Sequence, residues 1–316
     1  MAPHMKIVSC QVNHLTRPLG FEMTRPVFSW KVEQAEGKRQ TAARLVISRE
    51  PDLSDPLVDT GWADLDSLGT EAALSLAPRT RYYWRTAVRS DAGEEAISGI
   101  EWFETAKKEE PWTAQWIGCE DAPRHPVFLK EVPAASDAVS ARLYISGLGL
   151  YDARWNGEPI TEERLTPYCT AYDKWLQYQT FDVTDRVRKG GILSVMLGNG
   201  WYKGRFGFAE RSGKGIYGQS WKLIAELRIQ LADGTEQVIG TAADLFGTPI
   251  YSSVEDGTLD SMISDAFDDA QLVSDSGGKS AFDEFSEKFK GSTVTAMVEK
   301  AKENYGEQLK PSDTKA

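Results

Sequence analysis

The stretch Leu223-Ile224-Ala225-Glu226-Leu227-Arg228-Ile229-Gln230-Leu231 alternates without a break. Leu223, Ala225, Leu227, Ile229 and Leu231 fall on one face; Ile224, Glu226, Arg228 and Gln230 fall on the other, the period of two that a β-strand imposes. The run stops at Asp233-Gly234, a hairpin dipeptide, and residues 236–239 begin the return. Upstream, Tyr151-Asp152-Ala153-Arg154-Trp155 alternates into Asn156-Gly157, a second hairpin signal. Residues 141–146, the pair Phe181 and Val183, and the trio Leu193, Val195 and Leu197 repeat the pattern. No helical pattern between them is long enough for a parallel crossover, so an antiparallel β-sandwich or jelly roll is expected.

The first third of the chain reads the same way. Phe28, Trp30 and Val32 share one face of Val27-Phe28-Ser29-Trp30-Lys31-Val32, and Tyr82, Trp84 and Val88 point inward from residues 82–89, which end at Asp91-Ala92-Gly93. Residues 44–49 and 100–105 add two further strands at the spacing of a sandwich. Trp84 and Trp102 could together form a ligand platform, but at strand spacing both are assigned to the core. Lys107-Lys108-Glu109-Glu110-Pro111 is read as the linker. The expected organisation is a cloning scar over 1–5, a β-sandwich over 6–106, a second over 112–260, and a helical segment with a disordered tail over 261–316. In that last segment Phe282, Phe285 and Phe289 recur at helical spacing, as do Val294, Met297, Val298, Ala301 and Tyr305 before Gly306.

A length of 316 residues suits two domains with cores of their own. Lys and Arg total 36 against 47 Asp and Glu, a net charge of −11, which argues against nucleic acid as a partner. No apolar span approaches 20 residues, so no membrane crossing is expected. Three cysteines, Cys10, Cys119 and Cys169, lie far apart and suggest neither a disulfide framework nor a zinc knuckle. With no charged-then-apolar leader, the expected location is the cytoplasm, secretion staying open if a leader was replaced by the scar.

Candidate chemistry lies in the loops of the second half. Residues 168–175 and the run Gly198-Asn199-Gly200-Trp201-Tyr202-Lys203-Gly204 are rich in aromatic, amide and carboxylate groups. The glycines do not make a phosphate loop, since no Gly-Lys-Ser/Thr ending or strand-to-helix context accompanies them. Trp201 and Tyr202 beside the Asn199 amide are the groups a sugar site uses, an aromatic face for the ring and fixed polar atoms for its hydroxyls. The alternative is a Gly-rich turn whose Trp packs back on the sandwich. Acidic pairs such as Glu255-Asp256 and Asp268-Asp269 are read as solvated surface, and no catalytic residue is nominated.

Taken in order, these stretches resemble the N-terminal, non-catalytic part of bacterial α-L-rhamnosidases: Gly147-Leu148-Gly149-Leu150-Tyr151 with Asn156-Gly157, Leu165-Thr166-Pro167 with Thr170 and Tyr172, Tyr178-Gln179-Thr180-Phe181-Asp182-Val183-Thr184, and Leu197-Gly198-Asn199-Gly200-Trp201-Tyr202. Arg25-Pro26-Val27-Phe28-Ser29-Trp30 and Thr80-Arg81-Tyr82-Tyr83-Trp84-Arg85 resemble the opening module of such enzymes, and Trp116-Ile117-Gly118 resembles the start of the next. The resemblance implies a mainly β protein, a fibronectin-type-III-like sandwich followed by a galactose-binding-like jelly roll. It implies a rhamnose-containing carbohydrate as partner, with Tyr172, Asn199, Trp201 and Tyr202 on the sugar and Asp173 and Asn199 on a calcium ion. Lys174 follows Asp173, and an ammonium beside a divalent cation is repulsive. The family cleaves with two carboxylates in a helical (α/α) barrel, which these residues do not include, so the chain alone is expected to be inactive. The alternative expectation is a structural or interaction module that docks a separate catalytic chain or partner through its C-terminal helices.

Overall fold

The structure is a computed structural model that describes residues 4–119, 124–204, 215, 217–242 and 250–255. It divides into two compact units, Met1–Pro111 and Trp112–Ala316. The expected C-terminal helices, with Phe282 to Phe289 and Val294 to Tyr305, lie outside the described residues.

The first unit contains β1 (Lys6–Val12), β2 (Leu19–Phe21), β3 (Val27–Glu33), β4 (Gln40–Ser48), β5 (Pro56–Asp59), β6 (Thr70–Glu71), β7 (Arg81–Ser90), β8 (Glu95–Ile97) and β9 (Glu101–Thr105). They form a three-stranded sheet, β1-β3-β6, and a six-stranded sheet, β2-β9-β7-β4-β5 with β8 on β7. The alternating residues of β3, β4, β7 and β9 close the core between them: Phe28, Trp30, Leu45, Ile47, Tyr82, Trp84, Val88 and Phe103 are buried in one cluster. Phe28 meets Trp84 edge-on with centroids 4.8 Å apart, and Tyr82 stacks on Phe103 at 5.2 Å.

Two details depart from the pattern expected. Trp102 is not a core residue. It alternates with Phe103, which takes the inward position, and so stands on the outer face with the Arg81 guanidinium 4.0 Å from its ring centroid. The pairing is also not wholly antiparallel, because the three-residue β2 runs parallel to β9.

The second unit contains β10 (Ile117–Cys119), β11 (Arg124–Val132), β12 (Ala138–Leu148), β13 (Leu150–Trp155), β14 (Glu158–Pro159), β15 (Gln179–Asp182), α1 (Thr184–Lys189), β16 (Gly191–Gly198), α2 (Gly200–Lys203), β17 (Trp221–Leu231), β18 (Glu236–Gly240) and β19 (Ile250–Glu255). Two five-stranded antiparallel sheets result, β10-β17-β12-β15 with β18 on β17, and β14-β13-β16-β11-β19. Their facing side chains make one core, in which Leu223, Ala225, Leu227, Ile229 and Leu231 meet Tyr151, Ala153, Trp155, Leu193, Val195 and Leu197. The hairpin after β13 turns on Asn156 and Gly157, both at positive φ (52° and 84°), the pair of left-handed positions that a two-residue turn of this hand demands. Asn156 Oδ1 then accepts from Ile192 N at 2.7 Å, tying the turn to β16.

The second face of β17 is buried as well. Glu226 is 0% exposed and Arg228 is also buried. Residues 112–115 run over this face, and Glu226 Oε2 accepts from Thr113 N, Thr113 Oγ1 and Ala114 N at 2.7, 2.8 and 3.2 Å. Arg228 donates to Glu226 Oε1 and to Glu236 Oε2, each at 2.6 Å. A buried carboxylate is tolerated here because its oxygens are saturated with donors.

Candidate functional site

The site grows from the point where β16 ends against the start of β13. Gly198 pairs with Leu150, and the backbones are so close that a Cβ on Gly149, at φ +113°, would sit 2.2 Å from Gly198 O. Gly200, at φ +49°, faces Leu150 with as little room, 2.8 Å from a built Cβ to Leu150 Cγ. The chain therefore leaves the strand in a tight turn at Asn199, whose carbonyl accepts from Lys203 N at 3.1 Å and closes the single helical turn α2. Asn199 is 3% exposed, so its amide reaches no ligand in solvent without movement of this turn.

At about 100° per residue, one helical turn sends its side chains in different directions. Trp201 is half-buried. Tyr202 lies against Tyr172, centroids 5.4 Å apart at 67°, and covers Gly218 so closely that a Cβ there would fall 2.2 Å from the Tyr202 hydroxyl. Lys203 turns inward, buried, with Nζ 3.6 Å from the Trp221 ring centroid. On Trp221 also rests the His125 imidazole, 5.3 Å away, whose Nδ1 is 2.9 Å from Leu197 O.

The facing loop, 165–178, is anchored to β13 and β12. Tyr151 N donates to Thr166 O at 2.9 Å, Thr166 Oγ1 donates to Tyr151 O at 3.2 Å, and Ser146 Oγ donates to Gln177 O at 2.6 Å. A turn follows in which Ala171 O accepts from Lys174 N and Trp175 N at 2.8 and 3.1 Å. This turn places Tyr172 between Tyr202 and Tyr217, the latter 5.1 Å away. Burial pushes the Tyr172 phenol well above its usual range, so it stays a neutral hydroxyl. Among the described residues neither the Tyr172 hydroxyl nor Thr170 Oγ1 has a hydrogen-bond partner, although both atoms are buried and Thr170 is only 7% exposed. A buried hydroxyl left without a partner costs about 1–3 kcal/mol. Tyr168 and Trp175 stand exposed on the same loop.

Of the residues nominated from sequence, Tyr172 and Tyr202 are thus brought into contact, and Trp201 lies on the same turn as Tyr202. Asp173 points elsewhere: its side chain is 57% exposed and holds Lys174 Nζ at 3.3 Å. Among the described residues no three carboxylate, imidazole or thiol groups converge. An exposed carboxylate neutralised by an adjacent ammonium and an amide buried in a turn do not compose a calcium shell, which needs six to eight oxygens. Tyr217 belongs to the cluster and is not among the residues expected on the sugar; an aromatic beside Gly218 is the available signal for it. Asp152 is paired with Arg154 at 2.5 Å and Asp173 with Lys174 at 3.3 Å.

Residues 7–109 match the Rha78A-like, N-terminal immunoglobulin domain, and residues 136–253 match the alpha-L-rhamnosidase N-terminal domain. An alpha-L-rhamnosidase of Formosa agariphila is 27% identical over 256 residues, covering 72% of this chain and 27% of that protein. One of Streptomyces avermitilis is 42% identical over 105 residues, 33% of this chain and 10% of that protein. The solved alpha-L-rhamnosidase from Dictyoglumus thermophilum superposes with a TM-score of 0.65 at 28% identity, over 76% of this chain and 29% of that one. The chain thus spans little more than a quarter of the length of such relatives.

Proposed function

Because this chain carries the two N-terminal domains of the α-L-rhamnosidases, we propose that it serves as the accessory β-region of such an enzyme and that its second unit binds a rhamnose-bearing glycan. The observation that carries the binding reading is the cluster of Tyr172, Tyr202 and Tyr217, where loop 165–178 meets the turn that also bears the half-buried Trp201. Such a setting offers apolar ring faces edged by phenol hydroxyls, which suits a deoxy sugar with both a methyl group and hydroxyls. In this reading Trp201 supplies a ring face, Tyr172 and Tyr202 a second aromatic surface, and Asn199 the turn from which Trp201 projects. Glycoside cleavage needs two opposed carboxylates, and we assign that chemistry to residues other than these.

Two measurements test this. Incubating the purified chain with an aryl α-L-rhamnoside should give no turnover above buffer; turnover would overturn the accessory assignment. Titrating L-rhamnose calorimetrically should give heat of the same size in calcium and in chelator, reduced at least about tenfold in affinity by Trp201→Ala. No heat under either condition would remove the binding role and leave only that of a brace.

A further inference from the structure

Trp102, placed outside the core on the six-stranded sheet of the first unit, has neighbours of a particular chemistry. Along β7 the side chains of Arg81, Tyr83, Arg85, Ala87 and Arg89 alternate with the buried Tyr82, Trp84, Thr86 and Val88, and so share the outer face with it. Arg81 pairs with Glu104 at 3.0 Å and lies 4.0 Å from the Trp102 ring centroid. Four residues on, Arg89 pairs with Glu95 at 3.0 Å and lies 3.8 Å from the Trp62 ring centroid. Arg44, opposite Ala87 on β4, is held by Asp59 of β5. Each of these three arginines is thus joined to a carboxylate of a neighbouring strand. Arg85 differs from them: it is half-buried, it stands opposite Val46 on β4, and among the described residues its side chain makes no ion pair or hydrogen bond. On its other side β7 pairs with β9 as far as Trp84 and with β8 from Ala87, so Arg85 lies at the break between those two strands.

We propose that this face of the first unit binds an acidic saccharide, a uronate-bearing chain laid along β7 with a carboxylate on Arg85 and its rings against Trp102 and Trp62. A guanidinium presents a planar fork of donors that matches a carboxylate, and the three other arginines on the face already meet that group from within the protein. The ligand supplies the fourth. Arg81 and Arg89 are four residues apart on one strand, so the indoles they hold are served from points about 13 Å apart, with Arg85 between them. Each indole is fixed by a guanidinium against its ring, which lowers the cost of ordering it on binding. A polyuronate carries a ring and a carboxylate on every unit and meets ring, charge and ring in that order, whereas an acidic peptide of aspartate and glutamate offers the charge without the rings. The chain as a whole carries −11, so attraction of an anion is local to this face and not a long-range field.

Titrating the full chain with tetragalacturonate, with the indole N–H signals followed by nuclear magnetic resonance, tests the proposal. The Trp62 and Trp102 signals should shift together and saturably, while those of Trp84 and Trp221, buried in the two cores, stay in place. Absence of a shift at both Trp62 and Trp102 would overturn it. Arg85→Gln removes the charged donors and should weaken binding at least about tenfold, with the melting temperature unchanged. An affinity equal to that of the wild type would sink the assignment of the carboxylate to Arg85. A second arm needs no substitution: fully methyl-esterified tetragalacturonate keeps the rings and loses the charge, and should bind the wild type at least about tenfold more weakly. Equal binding of the ester would likewise overturn the proposal. In a third arm a hexamer of glutamate should leave both indole signals unmoved; if it shifts them with the affinity of the saccharide, the saccharide assignment fails in favour of an acidic peptide.

Discussion

The Tyr151 hydroxyl donates to Gln179 Oε1 at 2.7 Å, and the bond passes from β13 to β15, from one sheet of the second unit to the other. Tyr151 is buried in the core, so this is a polar rivet in an apolar layer. Tyr151→Phe should cost about 1–2 kcal/mol by urea unfolding, the loss of one buried hydrogen bond. Burial also holds the Tyr151 phenol well above its ordinary 10.0 in the folded chain. The folded state therefore keeps a proton that the unfolded state releases, so this contribution is complete below pH 10 and declines as pH rises beyond it. Unfolding curves of wild type and Tyr151→Phe should draw together above that pH, and a gap that widens there would contradict the assignment.

The Arg44–Asp59 pair behaves in the opposite sense. Hydrogen bonds from the Arg44 guanidinium and from Gly61 N lower the Asp59 carboxyl to about 2. The unfolded state therefore binds a proton first as pH falls, and the stabilisation, present above about pH 4, is lost as pH drops through about 2. The pair is well solvated, so Asp59→Asn should cost less than about 1 kcal/mol at neutral pH. That difference should vanish in melts recorded near pH 2; a constant difference from pH 7 to 2 would mean the effect is not electrostatic.

Gly149→Ala is predicted to be among the most damaging single substitutions in the second unit. The new methyl would need φ +113° and would meet the backbone carbonyl of Gly198 at 2.2 Å, with no flexible side chain to yield. A loss of about 3 kcal/mol or more is expected. Near-ultraviolet circular dichroism should report it through the Tyr172 and Tyr202 rings, because the displaced strand end carries α2. A melting temperature within a degree of wild type would refute the close approach.

Thiol reactivity should separate Cys169 from Cys10. Burial raises the Cys10 thiol to about 11, whereas Cys169 is exposed and raised by burial to a lesser degree. Iodoacetamide at pH 8 should label Cys169 first, with peptide mass spectrometry reading the order, since the thiolate is the reacting species. Equal rates at the two positions would contradict the burial of Cys10.

Much of this architecture is written in the alternation of short segments, and its limits are physical. Period two identifies the inward faces of β3, β7, β13 and β17, because those faces are apolar. It does not say whether the other face meets water. Glu226 and Arg228 carry the signature of solvated positions, yet segment 112–115 lies over them, a partner more than a hundred residues away in sequence. Lys107 is likewise charged and buried. Trp102 looked like its neighbour Trp84 because composition does not carry phase; only its place next to Phe103 assigns it outward. The binding loops were legible as loops, but four residues of α2 are too few to show helical periodicity, so the separate destinations of Trp201, Tyr202 and Lys203 could not be read.

Those destinations give α2 a property of its own. Because Trp201, Tyr202 and Lys203 are dealt out by rotation, inserting or deleting one residue between Asn199 and Lys203 would advance every side chain by about 100°. An indole would then be driven toward the place over Trp221 that Lys203 fills, and an ammonium toward the tyrosines. Substitutions here exchange one contact at a time, whereas a change of register scrambles all three together. Variation in this segment should therefore proceed by replacement at fixed length, with its residue count acting as the conserved quantity.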